Sequence, residues 1–270
     1  MNSLELAWRI KRHGVEMTYL SGGSHIGSIL SMADILAVLY EDILNFDNTN
    51  PKMDSRDRFI LSKGHAGAGV YAALAEKGFF EVQALKTHYA NGSKLSGHVS
   101  HKGIPGVELS TGSLGHGISV GVGMALVAKK DDKKHRVFVV MGDGECDEGS
   151  VWEAAMFANH FKLDNLVAIV DHNKMQSIDF CENTMSLAPF AEKWQAFGWQ
   201  VKEIDGHNHE ELKNALAVSE GKPSKPTIII ANTIKGKGIS FMENNILWHY
   251  RAPQGEEYTA AVKELEAQKP

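Results

Sequence analysis

The chain has 270 residues, 43% hydrophobic and 23% charged, with a formal net charge of −5 and a pI near 6.2. Such a length buries a sizeable core, and the acidic balance provides no basic field that would suit nucleic acid. Two cysteines, Cys146 and Cys181, form no spaced framework; they point to a reducing compartment and away from a secreted disulfide scaffold.

The opening segment mixes charge into every turn and has no continuous apolar core, so it does not read as a signal peptide. No stretch approaches the roughly 20 apolar residues that a membrane span needs, which makes the cytoplasm the expected location. Apolar spacing predicts helices over residues 4–19 and 31–43, with a glycine-rich loop over 20–27 between them. Residues 57–62 read as a short strand closed by Lys63-Gly64-His65, followed by an Ala/Gly-rich helix over 66–77. Residues 89–109 are polar and glycine-rich and are expected to form a long surface loop, a kind usually functional or disordered.

From Gly112 glycines alternate with β-branched and other apolar residues, predicting a tightly packed helix that runs to residue 130. Two buried strands over 136–141 and 166–170 flank a helix over 148–161. Helices over 190–197 and 208–219 and strands over 200–204 and 227–231 follow, and the tail 256–270 reads as a solvated, fraying helix. This alternation predicts an α/β fold, a doubly wound and mostly parallel sheet with helices on both faces. No internal repeat or composition break divides it, so residues 1–270 are expected to form one domain.

The chemistry concentrates in residues 142–175. Gly142-Asp143-Gly144 follows one strand and Asn173 the next, thirty positions apart, so a carboxylate and a carboxamide should meet at the strands' carboxyl edge. Both are hard oxygen donors suited to Mg²⁺ or Ca²⁺, and phosphate oxygens, water or a backbone carbonyl would complete the coordination. Gly144 lets its N–H approach a phosphate, and the following helix adds the positive end of its dipole. The sum is a metal–diphosphate site; an isolated Gly-Asp-Gly is more simply a β-turn, a reading that weakens once Asn173 falls at the matching strand end. Thirteen histidines is a high count, and His25, His65, His98, His116 and His207 stand beside glycine or serine, where ligand can approach and where loops also simply expose polar side chains.

Gly142-Asp143-Gly144 through Asn173 resembles the thiamine diphosphate fingerprint, and its filling, Glu148-Gly149-Ser150-Val151-Trp152-Glu153-Ala154, resembles that of transketolases. Residues 57–65, 105–115, 235–238 and 248–249 match further blocks of that family in order, and together they cover nearly the whole chain. The resemblance implies the thiamine diphosphate-binding fold and its diphosphate-binding domain. It implies that Asp143 and Asn173 bind the metal by side chains and Met175 by its carbonyl. Gly144, His65, Asn173 and His249 would hold the diphosphate, and Gly112, Ser113 and Leu114 would lie along the cofactor. His25, His98 and His249 would line the substrate channel and donate to, or move a proton at, substrate oxygens. Glu148 aligns with an acidic residue proposed to link two cofactor sites.

His172, His116 and Tyr250 depart from the family's usual residues, and Tyr250 would narrow the substrate entrance. The second α/β domain of a full transketolase, with its activating glutamate and its arginines for sugar phosphate, is missing. The resemblance is therefore to the amino-terminal subunit of a split transketolase, a ketol transferase acting from a ketose phosphate to an aldose, in a two-plus-two assembly with a carboxyl-terminal subunit. The helices carrying Trp152 and Met156 and following Leu114 are expected to meet partner chains. Alternatives are one chain of a deoxyxylulose-phosphate synthase or of a 2-oxo-acid dehydrogenase, a cofactor-free remnant of the fold, and a zinc site at His98-x-x-His101.

Overall fold

The computed structural model describes residues 1–217 and 224–270. In chain order the elements are α1 (Ser3–Ser21), α2 (Ile26–Val38), β1 (Arg58–Leu61), α3 (Gly67–Glu76), α4 (His116–Lys130), β2 (Val137–Gly142), α5 (Gly149–His160), β3 (Leu166–His172), α6 (Cys181–Thr184), α7 (Phe190–Ala196), β4 (Gln200–Asp205), α8 (His209–Leu216), β5 (Thr227–Asn232) and α9 (Glu256–Glu266). The last residues of the helix expected over 208–219 fall outside the described residues.

The five strands form one sheet in the order β1-β2-β3-β5-β4, and every neighbouring pair is parallel. Side chains alternate along each strand, so the sheet feeds two cores. Phe138 and Val140 of β2 face the layer of α1, α2, α3, α8 and α9, while Val137, Val139 and Met141 face α4, α5 and α7. Both faces are therefore covered, as expected for parallel strands reading as continuous apolar runs. The edge strand β4 is the exception, only half-buried along its length. Among the described residues no helix is long and apolar enough to cross a membrane.

Four sequence expectations need correction. The helix expected from Ser31 starts at Ile26, after His25 turns the chain in the left-handed region at φ 72°. All thirteen residues of α2 are buried, so it carries no amphipathic stripe whose start could be read. The helix expected from Gly112 begins only at His116, because Gly115 holds a positive φ of 78° that breaks the helical run. The segment 89–109 has no regular element, yet it is not merely a surface loop: Leu95, Val99 and Ile104 are buried, and Val99 N–H donates to the Gly64 carbonyl at 2.9 Å. The tail is not a fraying solvated helix either. Helix α9 buries Ala261 and Leu265 against α1, Trp8 donates through Nε1 to the Leu265 carbonyl at 2.8 Å, and Tyr258 stacks on Tyr19 at 3.9 Å.

Candidate functional site

Parallel strands end together, and here the carboxyl ends of β1, β2, β3 and β5 surround one cavity of about 240 Å³. Gly142, the last residue of β2, stands in register with Asp171 near the end of β3, so the residues that follow each strand meet. Asp143 and Asn173 are 2% and 4% exposed. Asp143 Oδ1 accepts from Gly144 N–H at 2.8 Å and Oδ2 from Lys174 N–H. Asn173 Oδ1 accepts from Met175 N–H at 3.1 Å, and its Nδ2 donates to Asp171 at 3.4 Å. Burial, and then the charge of Asp171, push the Asp143 carboxyl up to about 6. A carboxylate, a carboxamide oxygen and the buried Met175 carbonyl are oxygen donors of the hard type, and the raised Asp143 carboxyl is what a cation beside it would relieve.

Two lysines that sequence reasoning did not assign lie under this edge. Lys63 is 1% exposed and pairs with Asp171, which is fully buried and also accepts from Ser31 Oγ at 2.6 Å and from Thr233 Oγ1. Burial alone would raise Asp171, but the Lys63 ammonium and these hydrogen bonds hold it below the usual carboxylate value. Lys235, also 1% exposed, donates through Nζ to the carbonyls of Met175 and Gln176 at 3.2 Å each and to His249 Nδ1 at 2.8 Å. Burial and the neighbouring Lys63 push it down to about 8. Glu145, 2% exposed, ties the cavity walls together: Oε1 accepts from Gly115 N–H at 2.9 Å and from Ser62, and Oε2 accepts from Gly142 N–H at 3.0 Å.

Four imidazoles form the cavity's upper wall. The His25 ring lies 5.0 Å from His65, 5.1 Å from His249 and 5.7 Å from His98, centroid to centroid. His25 N–H donates to the His249 carbonyl at 2.8 Å, which brings the left-handed turn before α2 against the segment that follows β5. Burial, then neighbouring positive groups, lower His25 to about 4 and His249 to about 3, and lower His65 well below its usual value. Those three rings are therefore neutral at pH 7 and can donate or accept hydrogen bonds without an uncompensated charge. Tyr250 closes the rim edge-on, 4.6 Å from His249 and 5.7 Å from His25.

Of the residues singled out from sequence, His25, His65, His98, Gly112, Leu114, Asp143, Gly144, Asn173, Met175 and His249 all line this cavity. Ser113 is exposed beside it and is not part of the wall. Ser28, Lys63, Glu145, Gln176 and Lys235 line it as well. The zinc idea finds no support: among the described residues no three His, Cys, Asp or Glu side chains converge on a metal position, and His101 Nδ1 is engaged with Ser110 Oγ at 2.7 Å. On the helix expected to meet a partner chain, Trp152 packs inward on Trp194 and Phe197, whereas Met156 is 56% exposed.

Residues 7–269 match the family model described as transketolase, thiamine diphosphate binding domain. The chain is 44% identical over 251 residues to one of the subunits of the apulose-4-phosphate transketolase of Phocaeicola vulgatus, covering 93% of this chain and 89% of that one. It is 44% identical over 245 residues to a 6-deoxy-6-sulfo-D-fructose transketolase subunit of a Clostridium species, at 91% and 89% coverage. The crystal structure of transketolase from Campylobacter jejuni superposes with a TM-score of 0.91 at 31% identity, covering 98% of this chain and 43% of that one. The chain thus spans about two-fifths of the length of that solved transketolase.

Proposed function

The chain belongs to the transketolase family, and on that premise we propose that it is the amino-terminal subunit of a split transketolase, binding the metal–diphosphate end of thiamine diphosphate. The observation that carries this is the meeting of Asp143, Asn173 and the Met175 carbonyl with three neutral imidazoles at one sheet edge. In this reading those three oxygens hold Mg²⁺ or Ca²⁺. Gly144 N–H, His65, Asn173, His249 and the Lys235 ammonium hold the diphosphate, and Gly112, Ser113 and Leu114 run along the rest of the cofactor. When bound, thiamine diphosphate supplies the carbanion chemistry that moves a two-carbon ketol unit from a ketose phosphate to an aldose.

The chain's own part is to bind, orient and manage protons. His25, His98 and His249 present imidazole nitrogens toward the channel, where an imidazole donates to a substrate oxygen or receives its proton. The buried Lys235 ammonium favours an anionic diphosphate over water, while Lys63 is neutralised by its pair with Asp171. Pyrimidine activation and sugar-phosphate recognition fall to a carboxyl-terminal subunit. Two features support this: the relatives named as subunits match nearly end to end, and the solved transketolase is more than twice as long. We infer a two-plus-two assembly and a cytoplasmic setting, the latter supported by two buried free thiols. We also take residues 1–270 as one domain, because one sheet organises both cores.

Calorimetry on the chain co-expressed with its partner tests the reading. Thiamine diphosphate should bind only with Mg²⁺ or Ca²⁺, and Asp143→Asn should weaken it by about 100-fold or more. Metal-independent binding by that variant would overturn the site assignment. Ketose phosphate should be consumed by the complex and not by this chain alone; turnover by the chain alone, or preferential use of pyruvate as donor, would sink the split-transketolase reading.

A further inference from the structure

One charged cluster lies outside the cavity and has no place in the proposed chemistry. Asp34, on α2, is 6% exposed. Its oxygens accept from Lys11 Nζ of α1 at 3.0 and 3.2 Å, from His207 Nδ1 at 2.8 Å and from His209 Nε2 at 3.2 Å. His209 is itself seated against Ser3 Oγ at 3.0 Å. Burial alone would raise Asp34, but Lys11 and the two imidazoles hold its carboxyl far below the usual range. The cluster therefore clamps α1, α2, the turn after β4 and the start of α8 around one permanent carboxylate.

His207 is the member that reaches the chain segment leading into the site. Its Nε2 lies 2.9 Å from the backbone nitrogen of Ile234. A backbone N–H can only donate, so Nε2 must hold a lone pair and the ring proton sits on Nδ1, where the Asp34 carboxylate accepts it. One tautomer satisfies both contacts. Ile234 directly precedes Lys235, whose ammonium meets the Met175 and Gln176 carbonyls and His249. The segment is tied on one side by Thr233 N–H to the His172 carbonyl at 3.1 Å and on the other by Gly236 N–H to the Gly27 carbonyl at 3.0 Å. Between those two ties, the amide of Ile234 is fixed by His207. The Lys235 side chain has little room to compensate, since it is 1% exposed and its stem packs against Gly27.

We propose that His207 is a positioning residue: held by Asp34 in its Nε2-accepting tautomer, it fixes the backbone at Ile234 so that Lys235 presents its ammonium to an anionic diphosphate at the cavity edge. This rests on the proposed cofactor site for the identity of the anion, and on hydrogen bonds within the chain for the placement. Through it, helix α1 acts on the site without lining the cavity.

The test uses the complex with its partner and Mg²⁺–thiamine diphosphate as the probe. His207→Ala should weaken thiamine diphosphate about tenfold while changing kcat at saturating cofactor by less than about twofold, the pattern of a support residue rather than a reacting one. His207→Gln, which can accept from Ile234 and donate to Asp34, should restore most of that affinity. Lys235→Ala should cost at least as much, and adding His207→Ala to it should cost nothing further. Losses that multiply, or an unchanged affinity in His207→Ala, would overturn the proposal. Ring ¹⁵N NMR of the isolated chain supplies a readout independent of cofactor: His207 should show a protonated Nδ1 and a bare Nε2, and the opposite tautomer would equally refute it. If the complex binds no thiamine diphosphate at all, the site reading fails, while the NMR result still decides the placement. Should the alanine variant not fold, the glutamine variant and the ring spectrum carry the test.

Discussion

His88 is 5% exposed among Tyr71, Tyr89 and Gly23, and burial pushes its imidazole down to about 4. Above pH 6.5 the ring is neutral in both folded and unfolded chains and has no pH-linked effect. As pH falls from 6.5 to 4 the unfolded chain binds a proton that the folded one refuses, so stability is lost, by about 3 kcal/mol in total. His88→Leu should remove that portion of the acid sensitivity. Urea unfolding of both proteins at pH 7 and pH 5 reads it as a smaller pH difference in the variant; equal differences would show that His88 is not responsible. The same scale shows what a sequence can disclose. Asp143 and Asn173 were legible because each follows a strand and their spacing fits one strand–helix–strand unit. Lys63, Asp171 and Lys235 were not, because a lysine reads as a surface residue until the fold closes over it, and their partners lie as far as 140 positions away.

Helix α4 illustrates how one residue type plays opposite parts within an element. A Cβ on Gly117 would lie 2.4 Å from Ser62 Oγ and 2.7 Å from Ser62 Cα, so this glycine sets how closely α4 approaches the end of β1. A Cβ on Gly123 would meet nothing within 4 Å. Gly117→Ala should therefore cost about 1–3 kcal/mol, and it should loosen the wall that ends in Leu114. Gly123→Ala should be neutral or gain up to about 1 kcal/mol from helix propensity. Thermal melts of the two variants decide this, and a similar shift in both would count against the packing argument. Elements with a clear period were legible: the buried strands and α5 fall within a few residues of expectation. The misread ones lack that signal. Helix α2 is buried all round, polar Ser28, Ser31 and Asp34 included, and α9 carries enough charge to look solvated although one narrow stripe meets α1.

At the scale of the molecule, the outer face of α4 and α5 stands out. Val127 is 56% exposed, Met156 56%, Phe157 41% and Phe161 40%, a set of large apolar side chains that a lone chain would leave in water. They fit the expectation that these helices meet other chains. Met156→Glu with Phe161→Glu should leave the melting point of the isolated chain nearly unchanged and should prevent assembly of the co-expressed complex. Light scattering of a full-sized complex from the double variant would place the interface elsewhere. The overall architecture was legible because alternating strands and helices leave few topologies open. The strand order was harder, since β5 inserts between β3 and β4 and nothing local announces it.

That insertion has a consequence in time. Strand β3 ends at His172, and its second neighbour is complete only at Asn232, while β4, made in between, pairs with β5 alone. A ribosome adding about 5–20 residues per second needs roughly 3–12 s for that interval. Until then one edge of an apolar strand has no native partner to pair with, and nascent chains on neighbouring ribosomes present the same open edge. The yield of soluble chain is therefore set partly by how fast residues 173–232 are made, and a slower ribosome prolongs the exposure.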